Sequence, residues 1–199
     1  SKYLPFPLGS AMLRGWKAEA DVLPTSQRPL LAAFRGSGQT RRHTALALST
    51  VENLEGIVIE KREAVTGGDS ASDRERYRTL LSTAKYALAP RGHNPNCYRV
   101  MEAVELGAIP VIVAPHSGCY GNWAGLYGHP AHNMTAHDWI PKAPFAVLAA
   151  WYPDLQQQLD KLRVEATDKR QELLKQWYDA WHDAFRGKLQ ERITRSLEL

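Results

Sequence analysis

Short apolar segments alternate with amphipathic or polar segments over the first two thirds of the chain. The apolar segments are rich in β-branched and small residues and are bounded by Gly, Pro or polar residues, which is typical of buried strands. Four such strands are predicted, at residues 30–34, 56–59, 86–89 and 108–113, with a weaker fifth at 145–148. Helices are predicted between them at about residues 40–49, 72–81 and 96–106.

Two of the predicted helices have local boundary signals. Ser72 and Glu75 form a capping box, in which the serine bonds forward and the glutamate bonds back, so we predict that the second helix begins there. Gly107 follows the third helix and is predicted to end it. This alternation predicts an α/β domain with a Rossmann-like parallel sheet and helices on both faces. Such sheets bind ligands at the carboxyl ends of their strands, in the loops that lead to helices.

The tail of the chain is predicted to be helical from residue 153 onward, with a long C-terminal helical segment at its end. Its large apolar residues recur at every fourth position: Leu173, Trp177, Trp181, Phe185, Leu189, Ile193 and Leu197. Because an α-helix turns once in 3.6 residues, this stripe drifts by about 40° at each step. The helix therefore either wraps over its own domain or leaves it to brace a second one. We divide the chain into an extended lead-in at 1–28, a Rossmann-like domain at 29–165 and a helical tail at 166–199.

Composition narrows the class of protein. The chain has 199 residues, 44% hydrophobic and 23% charged, which is an ordinary globular composition with enough chain for one well-buried domain. The formal net charge of +4 weakly favours anionic ligands, but nucleic-acid binding would require basic residues clustered on one face. No apolar run is long enough to predict a membrane span. The two cysteines, Cys97 and Cys119, form neither a CxxC pair nor a disulfide framework.

The loop after the first predicted strand combines small residues with arginines. Gly36 and Ser37 allow the backbone to approach a ligand closely. Arg41 and Arg42 fall in the first turn of the next helix, where positive charge is unfavourable beside the helix dipole unless an anion is bound. A phosphate group would supply that anion. The alternative is a Gly-rich turn with solvated arginines, because the loop matches neither G-x-G-x-x-G nor a Walker loop.

The loop after the third predicted strand leads into a helix that carries Arg99 and Glu102. These two residues stand three apart and share a helix face, so they form either a local ion pair or a ligand-binding pair. In the second case Arg99 contacts a diphosphate and Glu102 accepts hydrogen bonds from ribose hydroxyls, because a carboxylate offers acceptors only. The other candidate ligands of this loop are Arg91, Gly92, Asn94 and Asn96.

The pattern of these segments resembles the exostosin family. The resemblance covers about residues 21–165, and its most specific part is the stretch 86–111. The matching features are Asp-Val-Leu-Pro at 21–24, Phe-Arg-Gly at 34–36, Tyr-Arg at 77–78, Ala-Pro-Arg-Gly at 89–92, and the motif of Arg99, Glu102, Gly107 and Ile-Pro-Val at 109–111. Asp138-Trp139 also fits.

The resemblance implies an inverting glycosyltransferase of the GT-B fold that uses a nucleotide sugar, usually a UDP-sugar, without a catalytic metal or other cofactor. This chain would be the C-terminal, donor-binding domain, and its last helix would cross back to an N-terminal acceptor domain or a partner subunit. The acceptor would be a glycan or another hydroxyl compound. Eukaryotic members of the family work in the Golgi lumen, and other relatives would be cytoplasmic. The catalytic base is not identified, and such folds commonly place it in the other domain.

The resemblance also assigns roles to individual residues. Arg99 becomes the diphosphate ligand and Glu102 the ribose ligand, while Arg91 and Gly92 belong to the loop that follows the strand. The phosphate-side arginine of the first loop is Arg41 or Arg42, and the spacing does not settle which.

A zinc site is an alternative function for the segment after the fourth predicted strand. Imidazole and thiolate groups bind zinc, and the segment has the spacings His116-x-x-Cys119 and His129-x-x-His132, with His137 nearby. A polar loop between two elements explains the same residues, since short His motifs often occur by chance.

A non-catalytic nucleotide-, sugar- or partner-binding module is a further alternative, because a fold does not fix a function. Tight nucleotide binding without turnover of a donor would favour this interpretation over an enzyme.

Overall fold

The computed structural model describes residues 22–36, 42–61, 70–90, 99–113, 154–165 and 167–197. Within these residues a short 3-10 turn, Thr25–Gln27, precedes the first strand. The strands are β1 (Leu30–Gly36), β2 (Ile57–Lys61), β3 (Ala84–Pro90) and β4 (Ile109–Val113). The helices are α1 (Arg42–Ser49), α2 (Ala71–Ser82), α3 (Arg99–Glu105), α4 (Asp154–Arg163) and α5 (Asp168–Leu197).

The four described strands form one parallel sheet in the order β2-β1-β3-β4. The central strand β1 pairs with β2 on one side and with β3 on the other, so that Ala33 lies beside both Val58 and Ala87. The predicted α/β class with a Rossmann-like parallel sheet and a long C-terminal helix is therefore confirmed. The weaker strand predicted at 145–148 lies outside the described residues.

Helices cover both faces of the sheet and give it two buried clusters. The larger cluster combines strand residues with apolar side chains of α1, α4 and α5, such as Leu48, Leu159 and Trp177. The smaller cluster packs Tyr77 and Leu80 of α2 and the inner face of α3 against the alanines of the strands. Burial on both faces explains why the strands are continuously apolar rather than alternating.

The start of α2 differs from the prediction. The N-cap is Ser70, not Ser72, and the helix begins at Ala71. Ser70 Oγ accepts from the backbone N–H of Asp73 at 3.1 Å and donates to the carboxylate of Asp73 at 2.8 Å. The sequence contains two overlapping pairs with capping spacing, and the pair beginning at Ser70 prevails because Asp73 also forms an ion pair with Arg35 of β1.

Arg28 joins several elements at the edge of the domain where the strands begin. Its buried guanidinium donates hydrogen bonds to the backbone carbonyls of Leu23, Leu81, Ala84 and Leu106. Leu81 and Leu106 lie at the carboxyl ends of α2 and α3, where carbonyls have no partner within the helix and attract positive charge. Burial lowers the pKa of Arg28 to about 10, so the side chain remains charged at neutral pH. Arg28 thus caps two helices at once.

Gly107 ends α3 as predicted, and it does so with a positive φ of 71°. A β-carbon at this position would collide with the side chain of Val22 and would lie 2.7 Å from Arg28 Nη2. The left-handed conformation and the close approach both require glycine here.

The residues just before β1 are held by the first turn of α5. Asp168 accepts hydrogen bonds from the hydroxyl of Thr25 at 2.7 Å and from the backbone N–H and hydroxyl of Ser26 at 2.8 and 2.6 Å. The hydrogen bonds from Ser26 and Thr25 hold the pKa of Asp168 below its usual value. Gln171 donates to the carbonyls of Leu23 and Gly107. These contacts fix α5 against the end of α3.

The apolar stripe of α5 is buried only in its first half. Trp177 and Trp181 are 4% and 5% exposed, and Phe185 packs beside them. The four-residue spacing wrongly includes Leu173, which is 42% exposed, because the helix instead buries Leu174. Beyond Trp181 none of the described residues of α5 is buried, and the later members of the stripe are exposed: Leu189, Ile193 and Leu197.

Candidate functional site

The order of the strands places a switch point at one edge of the sheet. From β1 the chain passes to β2 on one side, and it then returns to β3 on the other side of β1. The connection after β1 therefore leads to one side of the sheet, and the connection after β3 leads to the other side. Open parallel α/β sheets bind ligands at such a switch point, outside the carboxyl ends of the strands. Both loops singled out in the sequence begin there, at Gly36 and after Pro90.

The structure brings Gly36 and Arg99 together at this switch point. The guanidinium of Arg99, the first residue of α3, lies directly against the α-carbon of Gly36, the last residue of β1. A β-carbon added at Gly36 would collide with Arg99 Nη2 and would lie 3.2 Å from Phe34 Cζ. The same guanidinium lies over the ring of Phe34, 5.1 Å from its centroid. Residues of β1 thus hold a cation in place at the end of the β1–β3 pair.

Glu102 lies one turn further along α3 and is fully buried. Its Oε2 accepts a hydrogen bond of 2.7 Å from the hydroxyl of Tyr77, which comes from α2. The predicted ion pair between Arg99 and Glu102 and the predicted ribose contact both remain predictions. Tyr77 is not among the residues predicted as ligands, and the Tyr-Arg motif at 77–78 is the one sequence signal that marks it.

A second charged group lies beside the site and serves the fold. Arg35 of β1 forms ion pairs with Glu60 of β2 and, at 2.6 Å, with Asp73 of α2. Arg76 binds the same Glu60 carboxylate at 2.8 Å. Burial raises the pKa of Glu60, but hydrogen bonds from Arg76 and Arg35 outweigh it and hold that pKa below its usual value. Arg35, although it follows the first strand's apolar run, is therefore occupied in joining β1, β2 and α2.

A surface pocket of about 440 Å³ lies between β2 and α2. It is lined by Glu60, Glu75, Arg76 and several small polar side chains. It contains none of the predicted ligand residues, so its position does not bear on the switch-point site.

The other predicted ligands are placed only in part. Arg42 is the first residue of α1, but its side chain lies outside the described part of the structure, as do six further residues of the two loops. Those residues are Ser37, Arg41, Arg91, Gly92, Asn94 and Asn96. Of the predicted ligands, Gly36, Arg99 and Glu102 are those whose surroundings the structure describes.

Two further predictions concern metals and membranes. No helix among the described residues is long and apolar enough to cross a membrane. Within the same residues no cluster of His, Cys, Asp and Glu side chains is arranged to hold a metal ion. The histidines and the cysteine of the alternative zinc site fall in the segment 114–153, outside the described ranges.

An open parallel α/β sheet with a switch point at its centre defines a class of ligand-binding domain. The chain belongs to the RXYLT1 C-terminal domain family, which matches residues 16–198. It is 27% identical to ribitol-5-phosphate xylosyltransferase 1 of Danio rerio, over 97% of this chain and 44% of the relative. It is 26% identical to the protein of the same name from Homo sapiens, again over 97% of the chain and 44% of the relative.

These comparisons place the chain in a family of glycosyltransferase domains. The chain spans 44% of the length of the curated relatives that it matches. The names of the relatives describe the whole proteins, not the part that this chain matches.

Proposed function

We propose that this chain is the donor-binding domain of an inverting, exostosin-like glycosyltransferase of the GT-B class that uses a UDP-sugar. The nucleotide diphosphate binds at the switch point between β1 and β3, where Arg99 contacts the diphosphate and Glu102 the ribose. The rest of the catalytic site, including the base that deprotonates the acceptor hydroxyl, is supplied by a second domain or subunit.

The observation that carries this proposal is the contact between Arg99 and Gly36. A planar guanidinium presents donors in a fork that matches the oxygens of a phosphate. A residue without a side chain at the end of β1 leaves room for that fork against the backbone. The ring of Phe34 restricts the arginine further, so less side-chain entropy is lost when an anion binds. The arrangement suits a diphosphate better than a neutral ligand.

The names of the relatives extend the proposal to the transferred group. Proteins named as ribitol-5-phosphate xylosyltransferases transfer a xylosyl group to ribitol 5-phosphate. We propose the same pair for the longer protein to which this domain corresponds, with UDP-xylose as the donor. Competition of UDP-xylose against UDP-glucose and UDP-galactose for this domain checks the choice of sugar, and equal affinities for the three would contradict it.

The exposed stripe of α5 supports the proposed partner. Leu189 and Ile193 are 41% and 45% exposed, although Trp177 and Trp181, earlier members of the same four-residue stripe, are buried. A helix of 30 residues is about 45 Å long, so its distal half reaches well past the core that holds its first half. We propose that this distal half packs against the acceptor-binding part of the enzyme.

The proposal predicts that Arg99→Ala lowers the affinity of the chain for UDP. Loss of a charge-assisted hydrogen bond to a ligand costs about 1.5–3 kcal/mol, which is roughly a tenfold to hundredfold rise in Kd. Isothermal titration calorimetry of UDP into the parent and the variant measures this change. Arg186→Ala, an exposed arginine of α5, is the control and should bind UDP like the parent. Equal UDP affinity in all three proteins would overturn the proposed site, and binding without donor turnover in the whole enzyme would favour the non-catalytic module.

Gly36→Ala tests the same site without removing a charge. The new β-carbon would displace the Arg99 guanidinium, which is the end of a flexible side chain and can move without unfolding the domain. We expect UDP binding to weaken by roughly tenfold, since the cation is no longer held at the end of β1. The matched control is Gly187→Ala in α5, where no atom lies near an added β-carbon. That control should keep UDP binding and should stabilise the helix by about 0.5–1 kcal/mol in urea unfolding.

A further inference from the structure

Glu102 is a carboxylate held in a small apolar core. It has no exposed surface, and Tyr77, whose hydroxyl donates to it at 2.7 Å, is only 3% exposed. The cluster around Tyr77 consists largely of leucines and alanines from α2, α3 and the strands. Removing a carboxylate from water is costly, and an apolar side chain of similar size usually packs as well or better. Packing alone therefore does not explain why a glutamate occupies position 102.

The hydrogen bond between Tyr77 and Glu102 joins two helices next to the switch point. Tyr77 belongs to α2 and Glu102 to the first turn of α3, one turn beyond Arg99. A carboxylate has about four acceptor positions on its two oxygens. Tyr77 takes one position on Oε2 and thereby fixes the rotation of the group. A tyrosine needs a partner for its buried hydroxyl, but a backbone carbonyl would satisfy it without burying a charge.

We infer that Tyr77 is a positioning residue that orients the Glu102 carboxylate toward the 2′- and 3′-hydroxyls of a ribose. This inference rests on the proposed nucleotide site and adds to it a basis for choosing ribonucleotides over deoxyribonucleotides. A nucleotide that lacks one of these hydroxyls loses a hydrogen bond to the buried carboxylate, and a site built to bind a hydroxyl penalises such a loss strongly. Because Glu102 is covered in this structure, the ribose must displace the groups that cover it.

The test compares UDP with 2′-deoxy-UDP in calorimetric titrations of the chain. The parent is expected to bind UDP about tenfold or more tightly than 2′-deoxy-UDP. Tyr77→Phe keeps the buried ring and removes only the hydroxyl. We expect it to weaken UDP binding, while the Kd for 2′-deoxy-UDP changes by less than about twofold. The ratio of the Kd for 2′-deoxy-UDP to the Kd for UDP should therefore fall by at least about threefold.

Tyr86→Phe is the matched control. Its hydroxyl also makes one hydrogen bond, to the carbonyl of Leu162 at 3.2 Å, but Tyr86 belongs to the cluster on the other face of the sheet. Tyr86→Phe should keep the parent's preference for UDP over 2′-deoxy-UDP. Glu102→Gln is a second variant, which retains the shape of the side chain, and it should narrow the preference as Tyr77→Phe does.

The outcomes separate the inference from the proposed function. If the parent prefers UDP and Tyr77→Phe keeps the full preference, or loses affinity for both nucleotides equally, Tyr77 does not position the ribose contact. If the parent binds neither nucleotide, or Arg99→Ala binds both like the parent, the proposed site itself is wrong and the inference falls with it. Thermal melts of each variant show whether a loss of both affinities comes from unfolding.

Discussion

Replacing Arg28 by alanine is expected to lower the free energy of unfolding by about 3–5 kcal/mol. The guanidinium is 2% exposed and donates to carbonyls at the ends of α2 and α3 and at the start of β3. Each buried carbonyl that loses its donor costs about 1–3 kcal/mol. Part of this loss is offset, because burial of the charge itself is unfavourable, as the lowered pKa of Arg28 shows. The net effect remains large since several carbonyls lose one donor together.

Urea unfolding of the chain measures this effect. Arg163→Ala is the control, because Arg163 also donates to a backbone carbonyl, that of Glu55 at 3.1 Å, but makes this contact at the surface. Its substitution should change stability by less than about 0.5 kcal/mol. Arg28→Lys should fall between the two, since a single ammonium group cannot reach carbonyls that diverge from one another. A loss below about 1 kcal/mol for Arg28→Ala would show that water replaces the guanidinium at the helix ends.

Arg28 also shows what the sequence could not predict. It lies in a Pro- and Gly-rich stretch that has no periodic pattern, so residues 1–28 were interpreted as an extended lead-in. Its partners at the ends of α2 and α3 and at the start of β3 are main-chain carbonyls more than fifty residues away, and main-chain groups leave no trace in residue identity. Gly107 is the opposite case. It was predicted to end α3 because glycine is the residue that a left-handed helix end requires, and its φ is 71°.

The strands were predictable because parallel strands buried on both faces are nearly continuous apolar runs. The ends of the strands were harder to predict. β1 continues through Arg35 to Gly36, because the charge of Arg35 is neutralised by Glu60 and Asp73 within the fold. The order of the strands explains why Gly36 and Arg99 lie at the same edge of the sheet, but a single sequence does not state that order.

The candidate site was likewise predictable from the sequence only in part. Gly36, Arg99 and Glu102 were selected as candidates because they follow strand ends and match a motif. Their geometry was only partly anticipated, since the contact of Arg99 with Phe34 and the burial of Glu102 depend on how α2 and α3 pack. Tyr77 was missed as a functional candidate because a tyrosine on an apolar helix face has the pattern of an ordinary core residue.

Trp181→Ala is expected to destabilise the domain by about 3–5 kcal/mol, which is typical of a large aromatic side chain removed from a core. Trp181 is 5% exposed and packs between two rings of its own helix, Tyr178 at 6.0 Å and Phe185 at 5.8 Å between centroids. Its indole N–H has no hydrogen-bond partner among the described residues. The loss is therefore one of packing, and Trp181→Phe should recover much of it.

The control for Trp181 is a residue of the same stripe further along α5. Ile193 lies three positions of the pattern later and is 45% exposed. Ile193→Ala removes little buried surface and introduces a better helix former, so stability should change by less than about 0.5 kcal/mol in urea unfolding. Comparable losses at both positions would show that the chain itself buries the whole length of α5.

A charged substitution at Ile193 tests the proposed role of the distal half of α5 in an enzyme that contains this domain. There Ile193→Glu should reduce transfer activity while the nucleotide affinity of this domain stays like that of the parent, because a charge on the stripe opposes packing against an apolar partner surface. An Ile193→Glu enzyme with full activity would contradict that role. The α5 face would then need no partner, since single exposed apolar residues are common on protein surfaces.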